Sequence, residues 1–159
     1  MKLHNYEIKV EWTGSLGKGT LDYRAFTRDH VIFGENKSSP IDGSSDPSFL
    51  GDKIRYNPEE LLLSSISSCH MLWYLHLCAV NNIVVVSYID KATGTMEELK
   101  NGSGRFKKVI LNPEITIAKM SNIKRAHELH VEANKMCFIA NSCNFPIAHQ
   151  ALIASQENE

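Results

Sequence analysis

Alternating polar and apolar residues predict strands at the start of the chain. Over residues 6–12, Tyr, Ile, Val and Trp alternate with charged side chains, which is typical of a half-buried strand. The stretch TGSLGKGT then predicts a turn, and a second alternation over residues 21–27 completes a predicted β-hairpin. A short third strand is predicted over residues 30–33.

Residues 36–56 show no periodicity and are rich in serine, glycine, aspartate and proline. Loops of this length within a compact domain are usually functional or mobile. A flexible surface insertion explains the same composition equally well. The sequence alone leaves both interpretations open.

A long helix is predicted to begin at Asn57 and to end near Asn81-Asn82. Asn57 is a favourable N-cap, Pro58 suits the first helical position, and Glu60 stands at the spacing of a capping box. Behind the cap, residues recur at intervals of three and four, and we expect the face that they form to be packed. These residues are Leu62, Ser65, Cys69, Leu72, His76 and Ala79.

The second half of the chain repeats the order of strands followed by a helix. Residues 83–88 are rich in β-branched side chains and predict a strand that continues toward Thr95. NGSG, residues 101–104, predicts a turn. A further strand over residues 106–117 is expected to be interrupted at Asn112-Pro113.

A second helix is predicted after Ser121 or Asn122, either of which can cap it. Its apolar positions are Ile123, Ala126, Leu129, Ala133, Met136 and Ala140. Asn144-Phe145-Pro146 ends the helix, and residues 147–153 predict a last strand or a short helix. This order of elements predicts an α+β fold, in which antiparallel sheets pack against two long helices.

Length and composition narrow the class of protein. The 159 residues, of which 43% are hydrophobic and 22% charged, predict a single domain over 1–159. A net charge of −1 without a basic patch argues against nucleic-acid binding. The N-terminus has no apolar leader and the apolar run from Ile83 is too short to span a membrane, so a cytoplasmic protein is predicted. Its four cysteines are then expected to be reduced, catalytic or metal-binding.

Helix geometry limits the partners of Cys69. Cys78 is nine residues further along the same helix, on its opposite side and about 13.5 Å away along the axis, which is too far for a disulfide. Cys137 and Cys143 remain as partners from the C-terminal region, and spacing alone does not choose between them.

Cys69 needs a positive charge from outside its helix if it is to react as a thiolate. It lies more than three turns into the helix, where the helix dipole has little effect. Arg24 or Arg28, from the predicted hairpin, supplies fixed positive charge better than the neighbouring histidines. Glu59 has no capping role, so it either interacts with the helix dipole or orients an arginine toward the thiolate.

Metal and nucleotide sites receive little support from the sequence. C-x₂-C and H-E-x-x-H are absent, and His127 and His130 form a pair at helical spacing that arises often by accident. G-x-G-x-x-G, P-loop and G-x-S-x-G motifs are also absent. We therefore predict no metal and no cofactor, and a metal-binding protein is the least favoured interpretation.

NPEELLLSSISSC, followed much later in the chain by a second helical cysteine in ANKMCFIANS, resembles the OsmC/Ohr family of osmotically inducible proteins C and organic hydroperoxide resistance proteins. EWTGSLGKGT also resembles the first hairpin of that family, so the likeness covers nearly the whole chain. It implies an intertwined homodimer with two cysteine-bearing helices at its centre. The chain resembles a divergent branch, because Phe138 stands where many members have proline and His70 where many have an apolar residue.

The resemblance also implies roles for individual residues. By position, the peroxidatic cysteine is Cys69, the resolving cysteine is Cys137 and the catalytic glutamate is Glu59. The family's arginine falls on Arg28, with Arg24 as the alternative. The implied activity is a thiol-dependent peroxidase that reduces organic hydroperoxides in oxidative stress defence and is restored by a dithiol reductant. The alternative is a non-catalytic protein that binds a small apolar or thiol-reactive metabolite in the dimer cleft.

Overall fold

The computed structural model of the protein describes residues 2–156. The chain forms two compact units, Met1–Leu62 and Leu63–Glu159. The single domain expected over residues 1–159 stays a prediction.

The first unit contains an antiparallel sheet of three strands in the order β1-β2-β3. The strands are β1 (Lys9–Trp12), β2 (His30–Phe33) and β3 (Ile41–Gly43). The predicted strand over residues 30–33 is confirmed. The predicted strand over residues 21–27 is wrong, because these residues form turns and bends and β1 pairs with β2 instead.

The connection between β1 and β2 is held by backbone hydrogen bonds near its ends, such as that from the amide of Thr27 to the carbonyl of Gly14, and by side chains. The indole Nε1 of Trp12 donates a hydrogen bond to the carbonyl of Thr27 at 2.9 Å. The guanidinium of Arg28 donates to the carbonyls of Phe26 and Tyr23, at 2.8 and 2.7 Å. These three carbonyls therefore have hydrogen-bond partners without a neighbouring strand.

Short elements order part of the segment over residues 36–56. Besides β3, it contains a 3₁₀ turn over Pro47–Phe49, which begins where the Asp46 carboxylate accepts a hydrogen bond from the amide of Ser48. Gly43 also forms a bridge with Tyr56. The segment is therefore not the structureless loop that its composition predicts.

The long helix α1 covers Pro58–Val80, which confirms the prediction. The capping box at its start is also confirmed. Asn57 Oδ1 accepts a hydrogen bond from the amide of Glu60 at 2.8 Å, and the amide of Asn57 donates to Glu60 Oε2 at 3.1 Å.

We expect Asn57→Ala to lower the free energy of unfolding by about 1 kcal/mol, because the first turn of α1 loses its capping acceptor. Chemical denaturation measures the change. Asn57→Asp is the matched control, since aspartate is an equally good N-cap. An alanine variant as stable as the unsubstituted protein would show that the cap contributes nothing.

The second unit contains two sheets of three strands, in the orders β4-β7-β9 and β5-β6-β8. The strands are β4 (Val85–Asp90), β5 (Thr93–Glu98), β6 (Gly104–Leu111), β7 (Pro113–Ile117), β8 (Ile147–His149) and β9 (Leu152–Ser155). The pairs β4–β7 and β5–β6 are antiparallel, whereas β8 and β9 join by parallel pairing. The predicted interruption at Asn112-Pro113 is confirmed, because the chain passes there from one sheet to the other.

Helix α2 (Ile123–Met136) begins at the predicted cap Asn122, whose Oδ1 accepts a hydrogen bond from the amide of Arg125 at 3.0 Å. It ends before the predicted Ala140. At Cys137 the backbone is extended, with φ −67° and ψ 108°, and the short helix α3 (Phe138–Asn141) follows.

The buried face of α1 differs from the predicted one. In the second unit its buried residues are Ile66, His70, Tyr74 and Cys78. Leu72, His76 and Ala79 of the predicted face are exposed, and Cys69 is half-buried. The predicted face is therefore wrong. Since α1 is apolar on nearly every side, several faces fit its sequence and periodicity alone cannot choose among them.

The core of the second unit lies between α1, α2 and the β4-β7-β9 sheet. Its members are Tyr74, Cys78, Ile83, Ile115, Ile117, Ala126, Leu129 and Ala133. Among residues 2–156, α1 is the one helix long and apolar enough, by length and composition, to cross a membrane. The core helix of a soluble protein can meet the same criteria.

Candidate active site

Cys69 and Cys137 lie side by side in the second unit. Their thiols are neighbours that influence each other's ionisation, with Cys69 half-buried in the middle of α1 and Cys137 buried between α2 and α3. Burial, followed by the neighbouring Cys69 thiol, raises the pKa of Cys137 to about 11, while the amides of Ala140 and Ile139 act in the opposite direction. Of the two partners that spacing left open, the structure brings Cys137 to Cys69.

The other two cysteines have different surroundings. Cys143 is half-buried, and its thiol donates to the carbonyl of Ile139 at 3.3 Å. Cys78 lies in the core beside Tyr74, and burial raises the pKa of Cys78.

Arg28 and Glu59, both in the first unit, are not joined to each other. Arg28 donates to the two carbonyls of its own loop, and its guanidinium lies 4.4 and 4.3 Å from the ring centroids of Tyr23 and Phe26. Glu59 is half-buried in the first turn of α1, and in the described part of the chain it has no ion pair with Arg28. Arg24 is exposed.

An apolar hollow lies one turn beyond Cys69 on α1. Leu72, Trp73 and His76 line it. The ring of Trp73 meets that of Phe138 edge to face, with centroids 5.6 Å apart. Phe138 directly follows Cys137 in the chain, so aromatic side chains flank both cysteines.

The sequence also matches a known protein family. A family model described as OsmC-like protein matches residues 51–150, which is more than half of the chain. The chain belongs to the OsmC-like protein family. Among the curated proteins, none is similar enough in sequence to match.

Solved structures from three bacteria are similar to this OsmC-like chain. An OsmC-like protein of unknown function from Vibrio cholerae is 26% identical, with a TM-score of 0.84 over 94% of this chain and 100% of its own. An organic hydroperoxide resistance protein from Elizabethkingia anophelis is 15% identical, with a TM-score of 0.69 over 98% and 99%. Another from Legionella pneumophila is 14% identical, with a TM-score of 0.69 over 97% and 99%. These structures confirm the predicted α+β OsmC-like fold.

The OsmC-like chain also contains a buried cluster of histidines that sequence reasoning missed. His70 Nε2 and His130 Nδ1 are 3.0 Å apart in nearly parallel rings, and Tyr74 stacks on His130 with centroids 3.9 Å apart. His149 lies 5.6 Å from both rings. Burial lowers the pKa of His70 to about 4 and that of His130 to about 3, with smaller contributions from neighbouring histidines. The spacing Ile66-x₃-His70-x₃-Tyr74 was the available sequence signal.

The two histidines that were considered as metal ligands have different surroundings. His127 is exposed, whereas His130 is buried against Tyr74. Within residues 2–156, no group of three or more His, Cys, Asp or Glu side chains is placed to hold a metal ion.

Proposed function

We propose that this OsmC-like protein is a thiol-dependent peroxidase that reduces organic hydroperoxides in oxidative stress defence. One observation carries the proposal. The thiol of Cys69, in the middle of α1, is a direct neighbour of the thiol of Cys137, which lies far away in sequence just past the end of α2. A disulfide requires its two cysteines to be close, and Cys137 is the cysteine that lies beside Cys69. The apolar hollow of Leu72, Trp73 and His76 would take the organic part of the peroxide.

The proposed chemistry has three steps. The Cys69 thiolate attacks the distal peroxide oxygen, the O–O bond breaks, and the alcohol leaves after taking up a proton, which gives sulfenic acid at Cys69. Cys137 then attacks the sulfur of this sulfenic acid, water leaves, and a Cys69–Cys137 disulfide forms. A dithiol reductant restores both thiols by exchange and is itself oxidised to a disulfide.

Arg28, or Arg24 as the alternative, is assigned to hold Cys69 as a thiolate. The guanidinium carries a permanent positive charge, and Glu59 is the acid proposed to fix it through a bidentate pair. In this proposal Arg28 gives up at least one loop carbonyl for the Glu59 carboxylate.

The proposed assembly is a homodimer in the cytoplasm. Large apolar side chains are exposed in both units, including Val10 and Trp12 on β1 and Leu72 on α1. Exposed apolar surface of this kind marks protein–protein contacts. The other partners are the hydroperoxide and the dithiol reductant.

Intact mass after one equivalent of cumene hydroperoxide tests the two-cysteine mechanism. We expect the unsubstituted protein to lose two hydrogens, because the disulfide forms from two thiols. Cys137→Ser should instead gain one oxygen, as a sulfenic acid that dimedone traps on Cys69. If peroxide leaves the mass of the unsubstituted protein unchanged, the proposal is wrong.

The second candidate is a non-catalytic protein that binds a small apolar or thiol-reactive metabolite. It is favoured by one observation, which is that Arg28 donates to its own loop and has no ion pair with Glu59. For a binding protein, alkylation of Cys69 by iodoacetamide should slow steeply from about pH 9 to about pH 6. The peroxidase requires a rate that persists near the lower pH, because it needs a thiolate there.

A further inference from the structure

Helices α1 and α2 run antiparallel, with side-chain contacts at both ends of the pair. At one end Cys69 meets Cys137. At the other end, just past the last residue of α1, Asn81 Oδ1 accepts hydrogen bonds from Arg125 Nε and Nη2, at 3.1 and 3.0 Å. The spacing from Cys69 to Asn81 along the chain equals the spacing from Arg125 to Cys137. A single alignment of the two antiparallel helices therefore brings both pairs of residues into contact.

The hydrogen bond between His70 and His130 lies between these two contacts and nearer to the cysteines. His70 directly follows Cys69, and His130 precedes Cys137 by about two helical turns. A hydrogen bond between ring nitrogens requires a proton on one of the two facing nitrogens but not on the other, and a narrow range of ring orientations. It therefore restricts sliding of α1 along α2 more strongly than an apolar contact does, as buried polar pairs do when they fix helix register.

Stability does not account for this pair of histidines. Each neutral ring has a single N–H, so whichever ring donates, one buried N–H and one lone pair remain at His70 Nδ1 and His130 Nε2. Neither atom has a hydrogen-bond partner among the described residues. Buried polar atoms without partners cost free energy, and two apolar side chains of similar size would avoid that cost.

We propose that His70 and His130 are positioning residues that hold α1 and α2 in the register at which Cys137, just past the end of α2, reaches Cys69. The inference rests on the proposed function in one respect, which is that the Cys69–Cys137 disulfide is the one the protein uses. The histidine pair would favour the second step, disulfide formation, and would leave the attack of Cys69 on peroxide unchanged.

The double variant His70→Leu/His130→Leu tests this role in a buffer of reduced and oxidised glutathione. In this buffer the two thiols become a disulfide while one oxidised glutathione becomes two reduced glutathiones. We expect the equilibrium constant for the Cys69–Cys137 disulfide to fall about tenfold or more, since misplacement by about 1 Å can cost a factor of about 100. The reduced double variant should be at least as stable toward urea as the unsubstituted protein.

Two further variants separate positioning from a general loosening of the helices. His130→Gln keeps a donor and an acceptor at this position and should restore most of the equilibrium constant. Arg125→Met removes the polar contact at the far end of the helix pair, so it should lower stability and leave the constant unchanged. If the double variant does not fold, His130→Phe replaces it. The equilibrium constant for the Cys69–Cys137 disulfide must then fall in His130→Phe and stay close to that of the unsubstituted protein in His130→Gln.

The results that would overturn the proposal are distinct from those that would overturn the peroxidase. The positioning role is refuted if the equilibrium constant for the disulfide is unchanged in His70→Leu/His130→Leu. It is also refuted if Arg125→Met lowers this constant as much as the double variant does. Failure of the unsubstituted protein to form the Cys69–Cys137 disulfide with glutathione removes it as well. A protein that forms this disulfide normally but does not consume cumene hydroperoxide refutes the peroxidase and leaves the positioning role intact.

Discussion

Serine in place of Cys69 should lower the turnover of cumene hydroperoxide by about three orders of magnitude or more, because the covalent step loses its nucleophile. A hydroxyl group cannot be oxidised to the sulfenic acid through which the proposed cycle passes. Peroxide consumption in the presence of a dithiol reductant measures the effect. The substitution changes one sulfur atom to oxygen at a half-buried position, so the fold should be retained.

Cys143→Ser is the matched control for this experiment. Cys143 is also half-buried, and a serine hydroxyl can donate to the carbonyl of Ile139 as the thiol does. We expect this variant to keep the turnover of the unsubstituted protein. Retention of turnover by Cys69→Ser would place the reactive thiol elsewhere, and its loss in Cys143→Ser alone would point to the third cysteine.

Features set by a few neighbouring residues could be predicted from the sequence. The start of α1 depends on Asn57 and Glu60, which lie within one helical turn of each other and form both capping hydrogen bonds. The end of β6 depends on Asn112-Pro113, where proline removes a backbone donor. In each case the determining interaction is local, so no knowledge of the folded chain is needed.

Features set by contacts between distant residues could not be predicted. Periodicity placed Cys69 and Leu72 on the packed face of α1, but Ile66, His70 and Tyr74 are buried instead. A helix that is apolar on most sides receives its orientation from its neighbours, which here are α2 and the β4-β7-β9 sheet.

Only part of the candidate site could be predicted from the sequence. Spacing excluded Cys78 as the partner of Cys69, but the choice between Cys137 and Cys143 depended on where α2 ends. The extended backbone at Cys137 stops the helix and places its sulfur beside Cys69. The loop carbonyls that hold Arg28 could not be anticipated, because an irregular loop leaves no periodic signal.

Lowering the pH from 8 to 5 should reduce the free energy of unfolding by about 4 kcal/mol, through His70 and His130. Burial lowers the pKa of His70 to about 4 and that of His130 to about 3, both below the ordinary value of 6.5. At pH values between the lowered pKa and 6.5, each histidine is protonated in the unfolded chain but not in the folded chain. Stability is therefore complete above pH 6.5 and is lost as the pH falls through 6.5 toward 3, with about 2 kcal/mol lost per histidine at pH 5.

Urea denaturation at three pH values from 8 to 5 measures this dependence, and the His70→Leu/His130→Leu variant identifies its source. The variant should lose most of the dependence, because it has no buried imidazole at either position to protonate. His76→Gln is the control, since His76 is exposed. The carboxyl group of Glu97, whose pKa is lowered first by a hydrogen bond from Arg105, titrates mainly below this range. If the double variant weakens in acid as much as the unsubstituted protein, the acid sensitivity arises outside this histidine pair.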